Sequence, residues 1–406
     1  MVYALKRQPL KALYLTFALP VTLLVRLPFW CVYYLPRFNR PRRSWKWWQC
    51  IQVNLIRTLA DLGDIPEKTG PLLSHPTHHT IPKDKYKSVW IEPTPALVFD
   101  PLKKFADAAK VEPVRIPGYW YDREGKSVPV GDRPRPGEKV LYYLHGGGYV
   151  GMSAHPSSIY AYLINRLTTT LPNVERTLAV EYRLTTGPPD ELTNPFPAAL
   201  LDAIAGYAYL INVVGFKPEN IILGGDSAGG NLALALTRYL VEAGRLPEAA
   251  NVLPKPPSNL ILICPWSDLG SSHETPGASV YVNLESDFIG PVDDALLKHA
   301  RVNYVGPLGF PEAANTNSYL SPGSKHPSMP EVSFKDFPRT FIVWGEAEIL
   351  VDQVKTLWRK MTDQLGEEQV GWVAGKDAPH DFMLLESFEE QNDEAYGALE
   401  KWFTSQ

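Results

Sequence analysis

Ser227 sits in the hexapeptide Gly225-Asp226-Ser227-Ala228-Gly229-Gly230, with the apolar run Ile221-Ile222-Leu223 before it and Leu232-Ala233-Leu234-Ala235-Leu236 after it. A Gly-x-Ser-x-Gly turn between a strand and a helix pushes the hydroxyl out of the backbone, and only glycine tolerates the crowding on either side. A hydroxyl is a poor nucleophile until an imidazole takes its proton, and that imidazole needs a carboxylate to fix its tautomer and steady its charge. The chain must therefore supply a histidine and an acid, which this strand-turn-helix arrangement carries downstream in the order serine, acid, histidine.

Four histidines follow Ser227: His273, His299, His326 and His380. His380 lies in Asp377-Ala378-Pro379-His380-Asp381-Phe382, directly after the strand-like run Val370 to Val373, and is the expected base. The other three fall in or beside a segment without regular alternation, where a solvated histidine is the plain expectation. The acid is sought in Gly345-Glu346-Ala347-Glu348-Ile349-Leu350-Val351-Asp352, which follows the strand Thr340 to Trp344. Glu348, just beyond the strand, is preferred to Glu346, at the strand's end, and to Asp352, expected to cap the next helix.

Acyl-transfer chemistry also places negative charge on a former carbonyl oxygen, which preorganised backbone N–H groups must meet. His145-Gly146-Gly147-Gly148-Tyr149 ends the strand Val140 to Leu144. Gly146, Gly147 and Gly148, with the Ala228 N–H, form the expected oxyanion hole. The glycine run lacks the Gly-x-Gly-x-x-Gly spacing and the acidic ribose partner of a dinucleotide site, so no cofactor is expected. Cys31, Cys50 and Cys264 are too scattered for a disulfide framework or a zinc site. His75, His78 and His79 have no acidic or cysteine partner at ligand spacing, so no metal is expected either.

With 406 residues, 45% of them hydrophobic, the chain can bury a large core. Forty basic against 44 acidic residues leave a net charge of −4, which gives no field to attract nucleic acid. The first sixty residues differ from the rest. Ala12 to Val25 is almost wholly apolar, Arg26 interrupts, and Leu27 to Leu35 resumes the run. Lys6, Arg7 and Lys11 precede it; Arg37, Arg40, Arg42, Arg43 and Lys46 follow, interleaved with Trp45, Trp47 and Trp48 as at a membrane interface. Membrane attachment, spanning or monotopic, is expected for residues 1–62, ahead of a cleaved signal peptide or a soluble cap, with the endoplasmic reticulum as the expected membrane and its side left open. Residues 63–110 read as linker and cap.

From residue 111 to 406 the pattern becomes regular. Val114 to Tyr121 reads as an edge strand, and buried strands near Lys139 to Leu144, Thr177 to Tyr182, Ile221, Leu260 to Ile263 and Thr340 to Trp344 alternate with helices. That alternation predicts an α/β fold, a mostly parallel sheet with helices on both faces and active groups at the carboxyl ends of its strands. Between about 270 and 320 the alternation stops, and the inserted stretch is expected to lie over the site as a lid.

These motifs resemble the hormone-sensitive-lipase family of α/β hydrolases, with its His-Gly-Gly-Gly and Gly-Asp-Ser-Ala-Gly-Gly. The resemblance extends through Glu181-Tyr182-Arg183-Leu184, Pro195-Phe196-Pro197-Ala198-Ala199-Leu200, Pro265-Trp266-Ser267-Asp268-Leu269 and Leu320-Ser321-Pro322. It implies the α/β-hydrolase fold, Ser227 as nucleophile, and Gly146 to Gly148 with Ala228 at the oxyanion. The sequence departs from the family at the acid, where Gly-x-x-Asp-Pro-Leu is usual and Gly345-Glu346-Ala347-Glu348-Ile349-Leu350 stands. The hydrophobic N-terminus is similar to that of fungal steryl acetyl hydrolases, which implies a small apolar ester, acetyl or short-chain, as substrate. The expected reaction is cofactor-free hydrolysis through an acyl-enzyme. An amidase, a non-hydrolytic condensation, cyclisation or acyl-transfer enzyme, and a binding protein are the rival readings.

Overall fold

The computed structural model describes residues 8–64, 86–188, 190–291 and 295–405. The His75, His78 and His79 cluster lies outside them. The helices are α1 (Leu10–Val21), α2 (Leu27–Tyr33), α3 (Trp47–Asp64), α4 (Leu102–Ala109), α5 (Tyr160–Thr170), α6 (Ala198–Tyr209), α7 (Ser227–Ala243), α8 (Ser279–Val282), α9 (Ala295–Val305), α10 (Glu312–Thr316), α11 (Val351–Leu365) and α12 (Glu389–Thr404). The strands are β1 (Ser88–Ile91), β2 (Ile116–Asp122), β3 (Lys139–Leu144), β4 (Val174–Val180), β5 (Ile221–Asp226), β6 (Asn259–Ile263), β7 (Arg339–Gly345) and β8 (Val370–Gly375).

All eight form one sheet in the order β1-β2-β4-β3-β5-β6-β7-β8. Pairing is parallel from β4 across to β8, and antiparallel for β1 with β2 and β2 with β4. Successive side chains of a strand face opposite sides. Thus Val140, Tyr142 and Leu144 of β3 join one core with α4, α6, α7 and α11, while Leu141 and Tyr143 join a second with α5 and α12. Both faces being covered, these strands read as unbroken apolar runs.

Two boundaries differ from the sequence reading. Residues 88–91, expected in the linker, pair with β2 as the edge strand, so β2 is not the edge. Four residues with one buried side chain are too short to give a periodic signal. The apolar N-terminus, expected as two pieces broken at Arg26, is one helical stretch from Leu10 to Tyr33, with Thr22–Arg26 as a π-turn. At about 1.5 Å per residue it is long enough to cross a hydrocarbon layer of about 30 Å. Its apolar side chains are bare, with Phe17 65% and Leu24 75% exposed. Beyond it, Tyr34, Trp45, Cys50 and Val53 are buried in the second core, where Trp45 meets the Phe388 ring edge-on at 5.5 Å.

Glycine lets α7 pass close under the end of β3. A Cβ on Gly229 would stand 2.1 Å from the Leu144 carbonyl oxygen and 2.4 Å from that of His145, both fixed backbone. Gly229→Ala is therefore expected to destabilise the protein by about 1–3 kcal/mol. Gly397→Ala, in open space on α12, should be neutral or stabilising by about 0.5–1 kcal/mol. Chemical denaturation of the two variants checks the contrast, and equal midpoints would contradict it.

Candidate active site

The register of the parallel strands sets where each group leaves the sheet. Asp226 pairs with Ile263, Ile263 with Val343, and Val343 with Val373, so β5, β6, β7 and β8 end side by side. Ser227 follows β5 at once, in the left-handed region at φ 48°, the strain expected of an elbow. A Cβ on Gly225 would lie 2.4 Å from Gly229 O, so the motif's glycines permit the bend. The Trp266 N–H donates to Ser227 O at 2.9 Å and ties the elbow to the chain leaving β6.

The strand spacing of about 4.8 Å puts β8 roughly 14 Å from β5, so the histidine loop must run back across the sheet. It does so in two steps. The Ala347 N–H donates to Ala378 O at 2.9 Å above β7, and the Asp381 N–H donates to Cys264 Sγ at 3.3 Å beyond β6. His380 and Glu348 thereby meet, Nδ1 to Oε2 at 2.7 Å, both buried. Glu346 is exposed, its N–H donating to Gly375 O. Asp352 is not a helix cap. It lies in the first turn of α11, where its carboxylate accepts the Ser279 N–H at 2.7 Å. His273 is not solvated either, being buried between Asp268 (2.8 Å) and Thr356 (2.9 Å).

The electrostatics of this cluster centre on the imidazole. Burial pushes the His380 pKa down, but the charge of Asp381 and the hydrogen bond and charge of Glu348 outweigh it and raise the value well above the ordinary one. Burial pushes the Glu348 carboxyl up against the pull of the imidazole. Asp381 Oδ2 stands 3.1 Å from His380 Nε2, and that nitrogen makes no hydrogen bond, so the serine-to-histidine hydrogen bond is not made in this structure. Cys264 Sγ lies within ligand distance of the same pair. An ion there would have to displace the proton that Nδ1 and Oε2 share, and burial keeps the Cys264 thiol protonated.

The glycine loop differs from expectation at one member. Gly147 and Gly148 have φ 101° and 62°, and Tyr149 follows at φ 64°, a turn that aims successive N–H groups into one concavity. Among the described residues nothing accepts a hydrogen bond from the Gly147 or Gly148 N–H. The Gly146 N–H, however, donates to Asp226 Oδ1 at 3.1 Å. It is committed to holding the loop against the elbow, leaving the Gly147, Gly148 and Ala228 N–H groups as the candidate donors. A Cβ at Gly146 would come 2.2 Å from Asp226 Oδ2, so glycine is needed there for packing.

Residues outside the sequence reading hold this frame. Tyr143 and Tyr160 hydroxyls donate to Asp226 at 2.6 and 2.7 Å. Asn231 accepts from Tyr149 Oη at 2.7 Å and donates to Trp266 O and Leu320 O, which explains why those segments belong to the motif. The insertion covers the loop from above: Ala300 on α9 faces Gly148, and Tyr304 stacks on Tyr149 at 3.5 Å. Asp287, also in the insertion, accepts the Ile349 N–H at 2.6 Å on one oxygen, and the Phe288 and His380 N–H groups at 2.7 and 3.3 Å on the other. Burial pushes its carboxyl up, against the imidazole charge and these N–H groups. Asp226 and Asp381 were visible as acids flanking the serine and the histidine, but Asp287 sits in a stretch with no readable pattern.

A family model described as an alpha/beta hydrolase fold matches residues 141–384. The chain is 37% identical over 188 residues to an acetyl-hydrolase of Streptomyces hygroscopicus, covering 41% of this chain and 54% of that one. It is 31% identical over 137 residues to steryl acetyl hydrolase 1 of Saccharomyces cerevisiae, covering 34% of this chain and 28% of that one. It thus spans about half of the first relative's length and less of the second's. An esterase from the bacterial hormone-sensitive lipase family has the same fold, with a TM-score of 0.55 at 21% identity over 89% of this chain and 98% of that one. The stretch that follows the family model is more than half of the sequence, and the chain belongs to the α/β hydrolases, alongside the hormone-sensitive-lipase enzymes.

Proposed function

We propose that the protein is a serine carboxylesterase that removes an acetyl or short-chain acyl group from a small apolar ester, with Ser227, His380 and Glu348 as its triad. The observation that carries this is the buried 2.7 Å hydrogen bond between Glu348 and His380, built on loops that return toward the Ser227 elbow. His380 Nε2 takes the Ser227 proton as Oγ attacks the ester carbonyl, and Glu348 stabilises the imidazolium that forms. The N–H groups of Gly147, Gly148 and Ala228 receive the oxyanion, each such donor contributing about 10²–10³ in rate. Collapse transfers the proton to the leaving alcohol, and water then cleaves the acyl-enzyme with His380 again as base. The likeness to a yeast steryl acetyl hydrolase and the bare apolar helix at the N-terminus both support an apolar alcohol as leaving group. In this reading residues 10–33 anchor the chain to a membrane, residues 88–109 belong to the catalytic domain, and the insertion near 270–320 covers the site. The endoplasmic reticulum is the membrane this reading names, checked by cell fractionation.

Ser227→Ala is expected to lower hydrolysis of p-nitrophenyl acetate by about four orders of magnitude or more, and Glu348→Gln by about 10⁴. Wild-type rates from Ser227→Ala would end the proposal. Mass spectrometry of products from acetylated sterols, other acetylated natural products and simple acyl esters identifies the preferred leaving group.

The Asp381 carboxylate sets a pH dependence. Hydrolysis needs neutral His380, so activity is lost as pH falls through a pKa that Asp381 and Glu348 hold above the ordinary imidazole value. Asp381→Asn removes the first of those two charges. The acid limb of kcat/KM is expected to move to lower pH, and a limb that stays in place or moves up would contradict this role.

A further inference from the structure

The segment after the apolar helix, from Arg42 through α3, touches the catalytic loops from outside the α/β domain. Arg57 on α3 donates through Nε to Asp287 O at 2.9 Å and through Nη2 to both Asp287 O and Leu284 O, the latter at 2.7 Å. The Asp287 carboxylate in turn holds Ile349 N, next to Glu348, and His380 N itself. A second line runs from Arg42 Nη2 to Asn283 Oδ1 at 2.6 Å, and from Asn283 Nδ2 to Glu348 O at 2.9 Å. A third ends on the histidine loop, where Ser44 Oγ donates to Asp377 Oδ2 at 2.7 Å and Trp45 Nε1 to Asp377 O at 2.6 Å. All three lines bear on the acid and the base, and none ends on Ser227 or the glycine loop.

We propose that Arg42, Ser44, Trp45 and Arg57 form a brace for catalysis in which Arg57 is a positioning residue, holding Asp287 so that one carboxylate fixes the acid loop and the base loop together. A planar guanidinium suits this task, because its fork reaches two carbonyl oxygens at once. The consequence is a division of labour. Loss of the brace should misplace His380 and Glu348 relative to Ser227 while the glycine loop and the cover provided by α9 remain. A misplacement of about 1 Å costs on the order of 10²-fold in rate. The brace also joins the membrane-proximal end of the chain to the catalytic pair, so that the segment following the anchor becomes part of the active site's support. The proposal rests on the esterase reading for the reaction it modulates.

The test uses the full-length chain in detergent, with Arg57→Ala, Arg57→Lys, Asp287→Asn and, on the same segment, Arg43→Ala as control. Competent sites are counted by fluorophosphonate labelling, and p-nitrophenyl acetate hydrolysis is expressed per labelled site. Arg57→Ala and Asp287→Asn are expected to lower kcat per site and the labelling rate by about tenfold to a hundredfold, with KM changed by no more than about threefold. Arg57→Lys should fall between, Arg43→Ala should match wild type, and millimolar guanidinium should restore part of the Arg57→Ala rate. Wild-type kcat per site and labelling rate in Arg57→Ala, or a loss wholly explained by fewer folded sites, overturns the brace. A wild-type protein that labels but hydrolyses no ester overturns the esterase reading instead. The labelling rates of the variants still decide the brace.

Discussion

The histidine leaves the sheet at β8 and, in the proposed mechanism, has to serve a serine that leaves it at β5, and much of the structure around the site answers that separation. A loop of a few residues crossing three strand spacings would wander unless fixed along its length. Here the loop is pinned at Ala378 O above β7, at Asp381 N beyond β6 and at His380 N by Asp287. The acid loop is pinned to the same Asp287 and to the same Ala378. Glu348 and His380 are therefore positioned relative to each other first, and relative to the serine second. That order is visible in the geometry: the Glu348 to His380 bond is tight at 2.7 Å, whereas His380 Nε2 faces Asp381.

The site gathers four carboxyl groups around one imidazole: Asp226, Asp287, Glu348 and Asp381 are all buried. Each buried ion carries a desolvation cost of several kcal/mol, which only hydrogen bonds or an opposite charge can offset. Asp226 is met by two tyrosine hydroxyls and the Gly146 N–H, Asp287 by backbone N–H groups, and Glu348 by the histidine. Glu348 Oε1 and Asp381 Oδ1 have no hydrogen-bond partner among the described residues, and the other Asp381 oxygen, Oδ2, stands beside Nε2. In the proposed mechanism the imidazolium that develops as serine loses its proton forms beside these carboxyl groups, the condition under which electrostatic preorganisation acts.

What the sequence could reveal of this followed from local patterns. The elbow, the glycine run and the buried strands carry their signals within six or seven residues, so Ser227, Gly147 and Gly148 were legible, as was the parallel sheet. His380 and Glu348 were legible because each follows a strand directly. The fate of the Gly146 N–H was not, because the Asp226 carboxylate that takes it comes from another strand and either partner alone reads as ordinary. Asp287, Asn283 and Arg57 were equally hidden. Their roles come from contacts more than 200 residues apart between Arg57 and Asp287, and more than 60 between Asn283 and Glu348, with no periodic element on the insertion side. His273 was misread for a related reason: a buried pair with Asp268 is built from a tertiary cover that a loop-like composition does not announce.

The departure at the acid acquires a physical sense from the same contacts. Where relatives of this family place proline after the acid, this chain has Ile349, and the difference is an N–H. Proline stiffens a loop by fixing φ and cannot donate; isoleucine leaves φ free but donates to Asp287 Oδ2 at 2.6 Å. The acid loop is thus held by a tertiary hydrogen bond in place of a ring, and the holder is itself gripped by Arg57 from the N-terminal segment. The longer glutamate fits the same substitution. Glutamate adds one methylene of reach toward the imidazole, and its backbone carbonyl is kept in place by Asn283 Nδ2 at 2.9 Å.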